Sequence, residues 1–239
     1  MTAAAGTRTK RVAILQSNYI PWKGYFDLIN LVDEFFLYDE VQYTRSDWRN
    51  RNRVKTQDGV KWLTIPVEYD GREPPRIREV RIVDDRWARR HWTTLANSYA
   101  RATHFRHVAD RIEALYLSAA LHDHLSDVNR TFLTGICEML GITTVIRSSA
   151  EFGLEGDRTA RLVDLCRQAG ATHYLSGPAA KAYIDPQLFV DAGVALEYMD
   201  YSGYEEYPQL FPPFEHGVSV VDLLFNTGPD ARGYLKTCR

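Results

Sequence analysis

Arg11-Val12-Ala13-Ile14-Leu15-Gln16 runs directly into Ser17-Asn18-Tyr19-Ile20-Pro21-Trp22-Lys23-Gly24-Tyr25, and this junction decides the fold. The first segment is a short apolar run, the pattern of a buried strand, and the second is rich in turn-forming residues. An amphipathic stretch, Phe26-Asp27-Leu28-Ile29-Asn30-Leu31-Val32, then leads to a second apolar run, Glu34-Phe35-Phe36-Leu37-Tyr38-Asp39. Strand, helix and strand in that order predict a parallel βαβ unit. In such a unit the loops that follow the strands leave from one edge of the sheet, where open α/β sheets bind their ligands. Residues 16–23 and 39–55 are therefore expected to meet.

Outward from this unit, Lys61 to Val67 reads as a buried strand, Tyr69 to Pro75 as an exposed turn, and Ile77 to Val83 as a further strand. Between about residues 84 and 141 the strand signal disappears and apolar residues recur at helical spacing. Trp87, His91, Leu95 and Tyr99 share one face, as do Leu125, Val128, Phe132, Ile136 and Leu140, with Gly141 closing the last helix. Alternation then resumes: a strand from Thr143 to Arg147, a helix from about Thr159 to Ala169, a strand from Thr172 to Ser176, a short helix from Pro186, and a strand from Val194 to Asp200. Val218 to Phe225 and Ala231 to Lys236 are expected as closing helices. The reading is an α/β Rossmann-like fold, mainly parallel with helices on both faces. It is expected as a single domain over residues 11–239 with a helical insert at about 84–141. The first ten residues are small and polar without an apolar core, so a disordered start is expected rather than a signal peptide.

Composition bounds the function. A chain of 239 residues with 45% apolar content can bury a large core. A formal charge of -2 provides no global basic field, which argues against nucleic acid as the partner, and no run approaches a membrane span. The three cysteines, Cys137, Cys166 and Cys238, are widely separated, which fits a reducing cytoplasm and provides no zinc spacing. His122 and His124 have no third ligand at a recognised spacing, so no metal is expected. No cofactor is expected either. Cys166 shares a helix face with Leu162 and Leu165 and reads as a small core residue.

Candidate chemistry concentrates on the predicted edge. Arg45, Arg49, Arg51, Arg53 and Lys55 form a local cationic segment able to hold a phosphate or carboxylate, or to serve as a solvated edge strand. Gln16, Asn18 and Tyr19 lie in the first strand-to-helix turn, where side chains and helix-start N–H groups can face a ligand or simply build the turn. Asp39, Gln42 and Tyr43 follow the second strand, and Asp39 either orients a substrate group or caps a turn. In the second half, Ser176, Gly177 and Lys181 follow a strand and provide small residues and donors, although the P-loop pattern is absent. His91 sits on an aromatic helix face and is either a general base or, more simply, a packing residue hydrogen-bonded to a carbonyl.

These residues carry a resemblance. Q-S-N-Y-I-P-W-K-G-Y-F at 16–26, D-E-V-Q-Y at 39–43, R-N-R-N-R-V-K-T at 49–56, W-L-T-I-P-V at 62–67, Y-L-S-G-P at 174–178 and S-V-V-D-L-L-F-N-T-G at 219–228 resemble the WbqC-like family of bacteria. The resemblance spans essentially residues 11–236. Members occur in gene clusters for O-antigen sugars and specialised metabolites. That setting implies a cytoplasmic transferase that moves an acyl or aminoacyl group onto an amine to form an amide, with a small-molecule substrate and an acyl-carrier protein as candidate partners. On chemical grounds, His91 or Asp39 would accept the amine proton and Asn18 or Asn52 would face the oxyanion. Arg49, Arg51, Arg53 and Lys55 would hold an anionic handle.

A narrower resemblance over residues 12–56, to the nucleotidylyltransferase and pantothenate-synthetase type of α/β fold, implies ATP use and adenylate formation. There, however, the His-x-Gly-His signature is replaced by Trp22-Lys23-Gly24-Tyr25. A third reading is a non-catalytic scaffold of a biosynthetic complex, presenting Tyr198, Tyr201, Tyr204 and Tyr207 as an aromatic docking surface for a carrier protein, although the same tyrosines could equally form a lid over the pocket.

Overall fold

A computed structural model describes residues 9–68 and 73–238. The expected disordered start falls largely on residues 1–8, and part of the expected turn on residues 69–72, both outside the described residues. By Lys10 the chain is already engaged: its N–H donates to the Thr172 hydroxyl at 2.9 Å and its ammonium pairs with Glu34 at 2.9 Å.

The chain divides into two compact units. One takes Met1–Leu15, Leu31–Tyr38 and Thr144–Asp200, and the other Gln16–Asn30, Asp39–Thr143 and Tyr201–Arg239.

The first unit is a five-stranded parallel sheet of the α/β Rossmann-like class. Its strands are β1 (Arg11–Leu15), β2 (Glu34–Leu37), β5 (Val145–Ser148), β6 (His173–Ser176) and β7 (Ala195–Tyr198), in the order β5-β2-β1-β6-β7. The central strands are nearly continuous hydrophobic runs because both their faces are covered, and Val12, Ala13, Phe35 and Phe36 are fully buried. Edge strands β5 and β7 are half-exposed, each with one exposed residue. From β1 the sheet grows toward β2 on one side and β6 on the other, so the switch point at which such sheets bind ligands lies between β1 and β6. Helix α5 (Arg158–Gln168) begins at Asp157, whose carboxylate accepts from the Ala160 N–H at 3.1 Å, and is followed by Gly170 at φ 66°. Helix α6 (Pro186–Asp191) starts at a proline behind the capping Asp185.

The second unit holds α1 (Lys23–Asn30), the antiparallel hairpin β3 (Arg51–Thr56) and β4 (Gly59–Thr64), α2 (Trp87–Tyr99), α3 (Phe105–Ala119), α4 (Leu125–Met139) and α7 (Val220–Thr227). Aromatic rings from four segments build its core: Tyr19 meets Trp87 and Phe132 edge-on at 6.0 and 5.5 Å, and Tyr99 stacks on Phe225 at 4.9 Å.

Three expectations need correction. Lys61 to Val67 is not a buried strand: the strand is Gly59–Thr64, and it leaves Val60, Lys61, Trp62 and Thr64 exposed on a two-stranded hairpin. Ile77 to Val83 is not a strand: a short 3-10 helix spans Ile77–Glu79, followed by isolated bridges of Arg81 to His124 and Ile82 to Val67. The buried residues there are Ile77 and Val80, a spacing of three that suits one 3-10 turn and defeats the period of two. Ala231 to Lys236 is 3-10 in character and not a second closing α-helix.

Candidate functional site

Segments 16–20, 39 and 47–52 converge within the second unit, as the βαβ reading predicts. The centre is Asp39, 4% exposed, whose Oδ1 accepts from the Ser17 N–H at 2.8 Å and whose Oδ2 accepts from the Ser126 hydroxyl on α4. Burial raises the Asp39 pKa above the usual carboxylate value. The bonds from Ser126 and Ser17 and the charge of Arg49 oppose that rise.

Asn129, fully buried on α4, donates to the Ser17 hydroxyl at 3.0 Å and to the Arg49 carbonyl at 2.9 Å. Because a carbonyl only accepts, the second bond fixes the amide orientation, and Asn129 Oδ1 is left buried without a donor. Asn50 repeats the pattern: its Nδ2 donates to the Ile65 carbonyl at 2.9 Å and its Oδ1 is a buried orphan. Such acceptors cost about 1–3 kcal/mol each and call for a donor.

Half-exposed residues form the rim. Arg49 donates to Asn18 Oδ1 and to the Ser17 carbonyl and pairs with Asp47 at 3.5 Å. The contact orients Asn18 so that its Nδ2 remains available as a donor. The Gln16 carbonyl accepts from the Tyr25 hydroxyl at 2.8 Å. Buried Ile20 holds φ 34°, a strained value for a β-branched residue and one that clusters at functional sites. Gly24 completes the turn, because a Cβ there would lie 2.4 Å from the Trp22 ring.

Several expected residues hold this architecture and have no free group to offer a ligand. Asn52 Nδ2 donates to the Tyr19 and Ile20 carbonyls at 3.0 Å each, and its Oδ1 accepts from the Arg53 N–H. With both amide hydrogens committed, Asn52 pins the strained turn and does not face an oxyanion. Tyr19 N–H donates to the Trp48 carbonyl at 3.0 Å, fixing the same turn from the other side.

His91 is 7% exposed, with Nε2 on the Thr64 carbonyl at 3.2 Å and Nδ1 on the Tyr19 hydroxyl at 2.8 Å. The carbonyl can only accept, so Nε2 carries the proton and Nδ1 accepts from Tyr19. Burial pulls its pKa down to about 4, with the Arg90 charge adding to the fall and the Thr64 bond opposing it. His91 is the packing histidine of the two alternatives.

Lys55 is also turned inward, its ammonium on the Pro213 carbonyl. Arg51 and Arg53 lie on the outer face of the hairpin. Gln42 is exposed and bridges Arg76 through the backbone, and Tyr43 is buried with its N–H on the Pro75 carbonyl at 2.8 Å. Ser176, Gly177 and Lys181 belong to the sheet unit. There the Ser176 hydroxyl donates to the Tyr174 hydroxyl at 3.2 Å and Lys181 lies over the Tyr198 ring at 5.0 Å.

Ser17, Asn50, Ser126 and Asn129 escaped the sequence reading. Asn129 left a signal: it occupies the apolar stripe of α4 at the spacing of Leu125, Phe132 and Ile136, where a polar residue must find partners. The aromatic docking surface expected from the tyrosines is absent at Tyr204 and Tyr207. Both are buried, with hydroxyls on Asp27 at 2.5 Å and Asp222 at 2.6 Å.

Among known proteins, the WbqC-like protein family matches residues 16–234. The chain belongs to the WbqC-like family. It is also 49% identical over 230 residues to the uncharacterized protein Rv1507c of Mycobacterium tuberculosis, covering 96% of this chain and 99% of that protein. No solved structure matches. The family match contains the whole Asp39 cluster, from Ser17 through Asn129. Among the described residues, no group of three or more His, Cys, Asp or Glu side chains is placed to hold a metal, and no helix is long and apolar enough to cross a membrane.

Proposed function

We propose that this WbqC-like protein is a cytoplasmic transferase of bacterial surface-polysaccharide or specialised-metabolite biosynthesis that moves an acyl or aminoacyl group onto an amine. The observation that carries the reading is that one set of converging segments holds a buried carboxylate of raised pKa, Asp39, and two buried amide oxygens lacking donors, on Asn50 and Asn129. An amine supplies the N–H donors those oxygens require and the proton Asp39 is tuned to accept.

In the proposed step the amine nitrogen attacks the carbonyl carbon of an activated acyl donor such as a thioester. The C–N bond forms, the nitrogen proton passes to Asp39, and the oxyanion receives a hydrogen bond from Asn18 Nδ2. Collapse breaks the C–S bond and releases the thiol, which takes up the proton from Asp39, so the donor's own activation drives the transfer. Asn52 and His91 act as positioning residues, Asn52 through the Tyr19 and Ile20 carbonyls and His91 through the Tyr19 hydroxyl.

The test is mass-spectrometric detection of amide product from an N-acetylcysteamine thioester panel and an amino-sugar panel. Asp39→Asn and Asn129→Leu, checked for folding by circular dichroism, are expected to lower turnover by about a hundredfold or more, the scale of general-base catalysis. Folded Asp39→Asn protein that keeps wild-type turnover would overturn the assignment.

A further inference from the structure

The outer face of the β3–β4 hairpin carries an arrangement that the buried cluster does not use. Strand alternation sends Asn52 and Val54 inward and sets Arg51 and Arg53 on the opposite face. Arg53 pairs directly with Trp62 across the hairpin, and Arg51 lies on the diagonal. The Arg51 guanidinium sits 4.3 Å from the Trp62 ring centroid, and Arg53 lies 5.8 and 6.0 Å from Trp48 and Trp62. The two indoles are 5.3 Å apart. Trp48 is 40% exposed and Trp62 is 42% exposed, so two of the five tryptophans remain in water on one small surface.

The charges on this face are unevenly satisfied. Arg49 and Lys55 have turned inward, and Arg53 is shared with Glu215 at 3.8 Å. Among the described residues, the Arg51 guanidinium donates only to the Ser46 carbonyl, and no carboxylate lies within ion-pair distance of it. Its Nε–H is buried without an acceptor, covered by the stack. The guanidinium thus lies against an aromatic ring with no carboxylate partner among the described residues.

We infer that the Trp48–Trp62–Arg51 face binds a nucleoside phosphate, its base stacked on the exposed indole surface and its phosphate on Arg51. A flat ring satisfies the indoles and an anion satisfies the arginine; a nucleoside phosphate supplies both at one molecule's length. Stacking on tryptophan accepts any base, so the face selects the class of ligand and not its base. The inference rests on the transferase reading only for the ligand's role, which is then the anionic handle of an activated substrate. Binding itself stands apart from turnover.

The test is isothermal titration calorimetry of the full chain with UDP and with ADP, alongside inorganic phosphate and adenosine. Both nucleotides are expected to bind, with phosphate or nucleoside alone weaker by about tenfold or more. Trp62→Ala and Arg51→Gln are each expected to weaken nucleotide affinity by about ten- to a hundredfold, the value of one stacked base or one charged contact. Trp62→Phe, which keeps a ring, should retain most of the affinity, so loss in Trp62→Ala alone cannot be ascribed to unfolding. No binding of either nucleotide, binding of phosphate as tight as that of UDP, or affinity indifferent to both substitutions would overturn the inference. Amide formation that persists without nucleotide binding would overturn this inference and leave the transferase reading intact; nucleotide binding without amide formation would do the reverse.

Discussion

Acidification should destabilise the second unit through His91, and the size of the effect follows from its surroundings. The imidazole is neutral in the fold, donating to the Thr64 carbonyl and accepting from Tyr19, and its pKa falls from 6.5 to about 4 because burial penalises the charged form. The unfolded chain therefore binds this proton more readily than the folded one. The contribution is fully present above the unfolded value and is lost as pH falls from 6.5 toward about 4. Between about pH 7.5 and about pH 4.5 the linkage removes roughly 2.5 kcal/mol, which at a urea slope of about 2–3 kcal/mol per molar is a midpoint shift of roughly 1 M. Burial also raises the pKa values of Asp39 and Asp222, whose contributions run the other way, present at low pH and falling as pH rises. The informative quantity is therefore the difference between wild type and His91→Gln, whose amide can still donate to Thr64 but cannot titrate. Urea unfolding followed by tryptophan fluorescence reads the transition, and one of its five reporters, Trp87, meets His91 edge-on at 5.5 Å. Wild type is expected to lose roughly 2.5 kcal/mol more than His91→Gln over this range. Parallel losses, within about 0.5 kcal/mol, would refute the neutral, buried assignment.

Asp222 accepts from Tyr99, Tyr207 and Gln209 at 2.8, 2.6 and 2.7 Å, so Asp222→Ala orphans the two buried tyrosine hydroxyls, leaves half-buried Gln209 its bond to the Glu215 carbonyl, and should cost about 3–5 kcal/mol in urea unfolding. Tyr207→Phe should cost only about 1–2 kcal/mol, and equal costs would contradict the shared-acceptor account. Asn52→Ala removes both pins from the Tyr19 and Ile20 carbonyls and should lower stability by about 2–3 kcal/mol, with faster amide hydrogen exchange concentrated in residues 17–20. Cys137 and Cys166 are buried and their thiols are pushed up to about 12, so neither should react with maleimide in the native protein at neutral pH. Peptide mapping that finds either residue labelled would contradict this.

The legible parts of the fold were those with a strong period. The apolar runs at 11–15 and 34–37 announced central parallel strands because no water-facing side needed polar residues. Helices α4 and α5 were readable from their stripes and stop signals. The hairpin misled because Trp62, Leu63, Ile65 and Val67 look like a buried run, whereas Trp62 is held at the surface by a stacked arginine. At the site, position along the chain predicted that the segments around Gln16 and Asp39 meet, but not which of their groups remain unspent. Among the cations of 45–55, all alike in sequence, Lys55 turned inward, Arg49 joined Asn18 and Asp47, and Arg51 reached the Ser46 carbonyl but no carboxylate among the described residues.

Taken alone, the sequence determined the class of sheet, the meeting of the segments that follow the first two strands, and the family, because these depend on hydrophobic period and on the order of segments along the chain. The tertiary structure decided the roles of individual side chains. Whether Asn52 or Asn18 can face a ligand, whether His91 can take a proton and whether the Asn129 oxygen is satisfied all depend on hydrogen-bond partners 30 to 80 or more residues away. A donor's freedom is what remains after its neighbours in space have been counted, and those neighbours are chosen only when the chain folds.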